Sequence, residues 1–146
     1  MADPLNFNLD RFVSAQAAVF PQVLEELHAG EKRSHWIWFI FPQMKGLGHS
    51  SQSEHYGIDS LEEAAAYLRH LVLGERLRQC TRLVTLVDGR TLREILGSPD
   101  DLKFRSSMTL FARAAEEAEL DSTDFNDALK KYFNGEGDPL TAALLR

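Results

Sequence analysis

Two stretches of the sequence carry more polar specificity than packing requires. The first is HWIWFIFPQMKGLGHSSQSEHYGI, from His35 to Ile58. Trp36 and Trp38 supply flat apolar walls. His35, Gln43, Ser50, Ser53 and Tyr56 supply donors and acceptors beside them. That combination suits a nucleotide-like or sugar-like small molecule, held by stacking and oriented by hydrogen bonds. Gly46 and Gly48 would let the backbone come close to such a ligand. The same aromatic run also reads as a dense core segment followed by a surface turn. Residue types alone leave both readings open.

The second stretch is DDLKFRSSMTLFAR, from Asp100 to Arg113. On a helix that begins near Pro99, Phe104, Met108 and Phe111 set the inward direction, flanked by Asp101 and Ser107. Ser106, Thr109 and Arg113 project roughly opposite. Two adjacent serines disfavour a helix interior unless their hydroxyls bond back to the helix or reach another segment. The serines read either as polar packing between helices or, with Asp101, Lys103 and Ser107 together, as the closure of a site against the aromatic stretch. Hydrogen-bond economy predicts that Gln43, Ser50 and Ser53 meet Asp101, Lys103, Ser106 and Ser107, because an unpaired buried polar group costs about 1–3 kcal/mol. If the site is hydrolytic, Asp101 or Glu54 is the candidate acid or base for glycosidic or phosphoester cleavage. The competing reading is a non-catalytic module whose aromatics form a patch for a partner protein.

Other chemistry is excluded by what is missing. There is no Gly-x-Ser-x-Gly elbow, no phosphate-binding loop and no dinucleotide fingerprint, so no cofactor is expected. His35, His49 and His55 match no compact zinc spacing, and no metal is expected. The single cysteine, Cys80, cannot form an internal disulfide. Its helical neighbours Leu77, Leu83, Val84 and Val87 are apolar, which points to a buried thiol. A net charge of −6 argues against nucleic-acid partners. The opening MADPLNFNLD lacks the regions of a signal peptide, and no apolar run approaches bilayer length. The expectation is a cytoplasmic protein with no membrane partner. Its oligomeric state is not encoded in these features.

The elements that must position these residues are marked by caps. Ser60 with Glu63, and Thr91 with Glu94, read as capping boxes. Gly74 and Gly97 read as stops for the helices they follow, with Leu61, Ala64, Leu68, Leu71 and Val72 sharing one face of the first. Ser98-Pro99, Asp121-Ser122-Thr123 and Asp138-Pro139 read as further starts. Near the beginning, Asn8 or Asp10 opens a helical stretch that Pro21 kinks or splits and Gly30 ends. WIWFIF is apolar all round and reads as a short buried helix, capped by Ser34 and stopped by Pro42. No segment alternates with period two. The fold class is all-α: one compact multihelical domain over 1–146, of about six to eight helices.

Several strings also resemble a known family. Ala15-Gln16, GEKRSHWIWFIFPQMKGLG from Gly30, YGIDSLEEAAAYL from Tyr56, LGERL from Leu73 and DDLKFRSSMTLFA from Asp100 resemble the domain of unknown function 1810. The resemblance implies a compact, mainly helical single domain and implies no activity. Some members carry the label calpastatin. Calpastatin segments are polar and disordered, and a capped helical chain with this apolar content is not. The tripeptide Glu54-His55-Tyr56 looks like a short element of a helical family that acts on ADP-ribose derivatives, which makes such processing a second alternative.

Overall fold

The computed structural model describes residues 7–146. The first six residues of the acidic opening lie outside them. Ten helices follow one another among the described residues: α1 (Asp10–Ala17), α2 (Phe20–Ala29), α3 (Ile37–Ile40), α4 (Ser51–Tyr56), α5 (Leu61–Arg69), α6 (Leu73–Leu86), α7 (Leu92–Leu96), α8 (Asp100–Glu117), α9 (Thr123–Phe133) and α10 (Pro139–Leu144). The all-α class holds, with more helices than expected. The surplus comes from short pieces. Pro21 separates α1 from α2, and the serine-rich stretch read as a loop contains α4, with Ser50 accepting from the Ser53 amide. The described residues contain no strand, only one isolated parallel bridge between Met44 and Ile58.

Helix α8 is the axis. Phe104, Met108, Phe111 and Ala115 are fully buried along one side of it, against α5 and α9, while α6 closes the group from behind. Aromatic edges lock the centre: Phe111 meets Tyr67 at 5.2 Å and Phe125 at 6.0 Å, and Tyr67 meets Phe12 at 5.1 Å. Such pairs contribute about 0.5–1.5 kcal/mol each beyond burial. Burial pushes the Tyr67 phenol well above its ordinary range, and the Cys80 thiol to about 12, so that thiol is inert packing.

Local chemistry explains most boundaries. Thr91 and Glu94 form a complete capping box. Gly30 takes φ 73° and ends α2. Asp138 caps α10 by accepting from the Leu140 and Thr141 amides, and it also takes the Ser106 hydroxyl at 2.9 Å and the Thr141 hydroxyl at 2.6 Å. Asp138→Ala should therefore cost about 2 kcal/mol in chemical denaturation, the upper end for a lost cap. A change within a few tenths would show that α10 is not anchored through this carboxylate.

Four expectations are corrected. Ser34 does not cap α3; its hydroxyl is drawn to Glu26, and α3 starts without a side-chain cap. Ser98 leaves α8 uncapped as well, with Pro99 in the cap position. The Ser60 box is only half formed. Ser60 accepts from the Glu63 amide, but the Glu63 carboxylate turns to the Asp59 amide and to Arg11. Gly74 is not a stop. Helix α5 ends at Arg69, Leu71 is 89% exposed, and Gly74 lies inside α6 against the backbone of Leu68.

The polar stretch is fastened from the other end of the chain. Arg11 of α1 donates to the carbonyls of His55 and Gly57 and to the Glu63 carboxylate at 2.8 Å. Its remaining bonds go to Phe7 and Asn8. Gln43 and Lys45 exchange backbone bonds with Ile58. What reads as a flexible loop is thus held by α1 and by the backbone bonds to Ile58.

Candidate functional site

The two tryptophans of HWIW have different fates. Trp36 is 1% exposed, and its indole N–H donates to Glu26 Oε1 at 2.9 Å. Glu26 is itself buried, on the inward side of α2 between Val23 and Leu27. Its carboxylate also accepts from the Arg33 amide (2.8 Å), the Ser34 amide (3.1 Å), the Ser34 hydroxyl (2.6 Å) and the Gln22 amide group (3.0 Å). Burial alone would push this carboxyl up. The neutral donors of Ser34, Arg33 and Trp36 outweigh it and hold it at about 2. Trp36 is a core residue clamped by a buried anion.

Trp38 is only partly buried. Its indole nitrogen is nonetheless shut off from solvent and has no hydrogen-bond partner among the described residues. Lys103 of α8 lies over its ring, with Nζ 4.9 Å from the centroid. One turn further along α8, Ser107 is fully buried and its hydroxyl likewise has no partner. Residues four apart on a helix stand on one face, so Lys103 and Ser107 are neighbours. Phe41 packing edge-on against Phe104 at 4.9 Å keeps the aromatic segment on this part of α8. The seam contains a second lysine. Lys32, with 6% of its side chain exposed, pairs with Asp100 at 2.8 Å and lies 5.0 Å from the Trp36 ring centre. Asp100 also faces Lys103, at 3.7 Å. Two lysines, each over one tryptophan, thus share a single carboxylate.

The model of the family described as a protein of unknown function, DUF1810, matches residues 6–145. The chain belongs to the DUF1810 family. Among solved structures, this DUF1810 chain is similar to the conserved hypothetical protein Rv1873 from Mycobacterium tuberculosis. The two are 57% identical, with a TM-score of 0.92 and 98% of each chain covered. No curated protein matches.

Not all of the residues expected at the site meet. In this DUF1810 chain Lys103 lies over Trp38, and Ser107 stands one turn further along α8. Ser106 points away, toward Leu102 O and Asp138. Asp101 accepts from the Leu102 amide next to it. Ser50 and Ser53 bond to each other at 3.0 Å, and the Gln43 side chain lies beside Gly48. The expected polar-to-polar contact between the loop and α8 is therefore replaced by an aromatic one. Ser50 and Ser53 pair within their own segment, Ser106 turns to Leu102 and Asp138, and Ser107 finds no partner among the described residues. Tyr56 packs on Phe39 and Phe12, and His35 and His49 are exposed. Glu54 and His55 line a separate polar groove of about 480 Å³ with Arg11, Lys45 and Asp59, a groove that does not include Asp101. No group of three or more metal-ligating side chains converges among the described residues, and no helix is long and apolar enough to cross a membrane.

Sequence reasoning missed Glu26, Lys32 and Asp100. A signal for Glu26 existed: an acid three residues after Val23 and one before Leu27 lies on the apolar stripe of α2. Lys32 and Asp100 carried none, because their pairing depends on how distant segments cross.

Proposed function

We propose that the seam between α3 and α8 binds a small molecule through Trp38, Lys103 and Ser107. The observation that carries this is the pair of buried groups without partners among the described residues, the Trp38 indole N–H under Lys103 and the Ser107 hydroxyl one turn along the same helix. Native proteins leave few buried polar groups unpaired, and those they do leave call for an explanation. A ligand acceptor reaching these two donors supplies one. The partner-protein reading is less well supported, since Trp36 is enclosed and cannot contribute to a surface patch. Of the alternative acids, Glu54 lines the separate groove and Asp101 accepts from the Leu102 amide, so the proposal is limited to binding.

A thermal-shift screen against nucleotides and metabolites tests it, since a specific ligand raises Tm by mass action. Ser107→Ala removes the unpaired hydroxyl with almost no change of shape. It should leave the unliganded protein as stable as before, or more stable by up to about 1 kcal/mol. It should also weaken the ligand-induced shift, as should Trp38→Phe. A ligand whose shift survives both substitutions binds elsewhere and removes this seam as the site. Clear destabilisation by Ser107→Ala would show that the hydroxyl serves packing.

A further inference from the structure

We infer that the group recognised at this seam is an oxyanion, a carboxylate or phosphate oxygen of the ligand; the inference rests on the binding reading above. Three donors belonging to different residues stand on α3 and α8, and among the described residues none of them is hydrogen-bonded to an acceptor. The Trp38 indole N–H and the Ser107 hydroxyl are buried without partners. The Lys103 ammonium lies over the Trp38 ring and approaches Asp100 only to 3.7 Å, beyond hydrogen-bond length. An indole N–H and an ammonium can only donate, so the complementary group must accept.

Charge points the same way. Lys32 and Lys103 share the one carboxylate of Asp100, which already takes Lys32 at 2.8 Å. Among these three groups alone, positive charge exceeds negative by one. The neighbouring anions do not cancel it through direct pairing. Glu26 is occupied by the indole N–H of Trp36 and the donors of Gln22, Arg33 and Ser34, and Asp101 accepts from the Leu102 amide. Cations desolvated against aromatic rings, next to unpaired N–H and O–H donors, are an environment that favours a negative oxygen over a neutral one.

The two indoles provide an internal control. In a ¹H–¹⁵N spectrum the protein gives two indole cross-peaks, one from each tryptophan, and Trp38→Phe assigns them. Trp36 is tied to Glu26, whereas Trp38 has no partner. Separate titrations with inorganic phosphate, acetate and the neutral isostere acetamide should move the Trp38 peak saturably with phosphate or acetate, in the range of about 10 mM or below. The Trp36 peak should stay in place, and acetamide should have no effect. The anion that acts at lower concentration identifies the group as phosphate or carboxylate. Lys103→Met should weaken the response about tenfold or more, and Lys103→Arg should retain it. Three results would each overturn the inference: no movement of Trp38 with either anion, parallel non-saturating drift of both indoles, or an equal response to acetamide. A library ligand that depends on Trp38 and Ser107 but carries no anionic group would sink the oxyanion and leave the binding reading intact.

Discussion

Glu26→Ala is expected to lower the stability of this protein by about 3–5 kcal/mol, the cost of removing the acceptor from a buried charged network. The loss would be measured by urea unfolding at neutral pH. The variant leaves the buried Trp36 indole, two partly buried backbone amides and the Ser34 hydroxyl without their common acceptor. The pH dependence separates this effect from simple cavity formation. The Glu26 carboxyl has a folded value of about 2 against an ordinary 4.5. A group depressed on folding stabilises above its unfolded value and loses that contribution as pH falls through the folded one. The ionised carboxylate therefore contributes about 3 kcal/mol at neutral pH, fading from about pH 4.5 toward pH 2. The gap between wild type and Glu26→Ala should narrow across that window. A constant gap down to pH 2 would show that the carboxyl is not held in its charged form.

Gly74→Ala should be similarly severe for a different reason. A Cβ at this position would lie 2.1 Å from the carbonyl oxygen of Leu68 and 2.9 Å from its carbonyl carbon. Both are backbone atoms, and neither can swing aside as a side-chain tip would. The end of α5 and the start of α6 must separate, and these two helices carry the fully buried Tyr67, Leu73 and Leu77. We expect a loss of about 3 kcal/mol or more, or roughly 10 °C in Tm. Gln79→Ala, exposed in the middle of the same helix, should be close to neutral. If Gly74→Ala is no worse than Gln79→Ala, the corner between α5 and α6 is looser than the coordinates place it.

Gly74 also shows where sequence reading stops. A glycine after a helical stretch resembles a terminator, and a glycine required by close backbone approach looks identical in one dimension. Thr91 with Glu94, Asp138 with Pro139, and Gly30 were legible because cap, proline and left-handed glycine act within a turn of chain. Ser60 was half legible. Its hydroxyl behaves locally, but its intended partner Glu63 answers to Arg11, fifty-two residues away. The seam shows the same division. That Trp38, Lys103 and Ser107 are candidates for a site followed from their types, whereas which of the two serines turns inward depends on how α8 packs. The rotation of α8 sends Ser107 into the interior and Ser106 to Asp138.

Arg11 closes a covalent excursion of half a hundred residues through hydrogen bonds alone. A chain with a single cysteine has no means of stapling itself internally by a disulfide. The guanidinium fork does an equivalent job reversibly. It grips two carbonyls at the end of α4 and a carboxylate at the start of α5 from a helix near the other end of the sequence. Loop-closure entropy grows only slowly with length, so one long strap costs little more than a short one. It follows that α4 and the turn before it cannot open as an isolated flap. Opening them requires the Arg11 bonds to break as well as those of Gln43 and Lys45 to Ile58, and amide exchange across 43–58 should rise in Arg11→Ala.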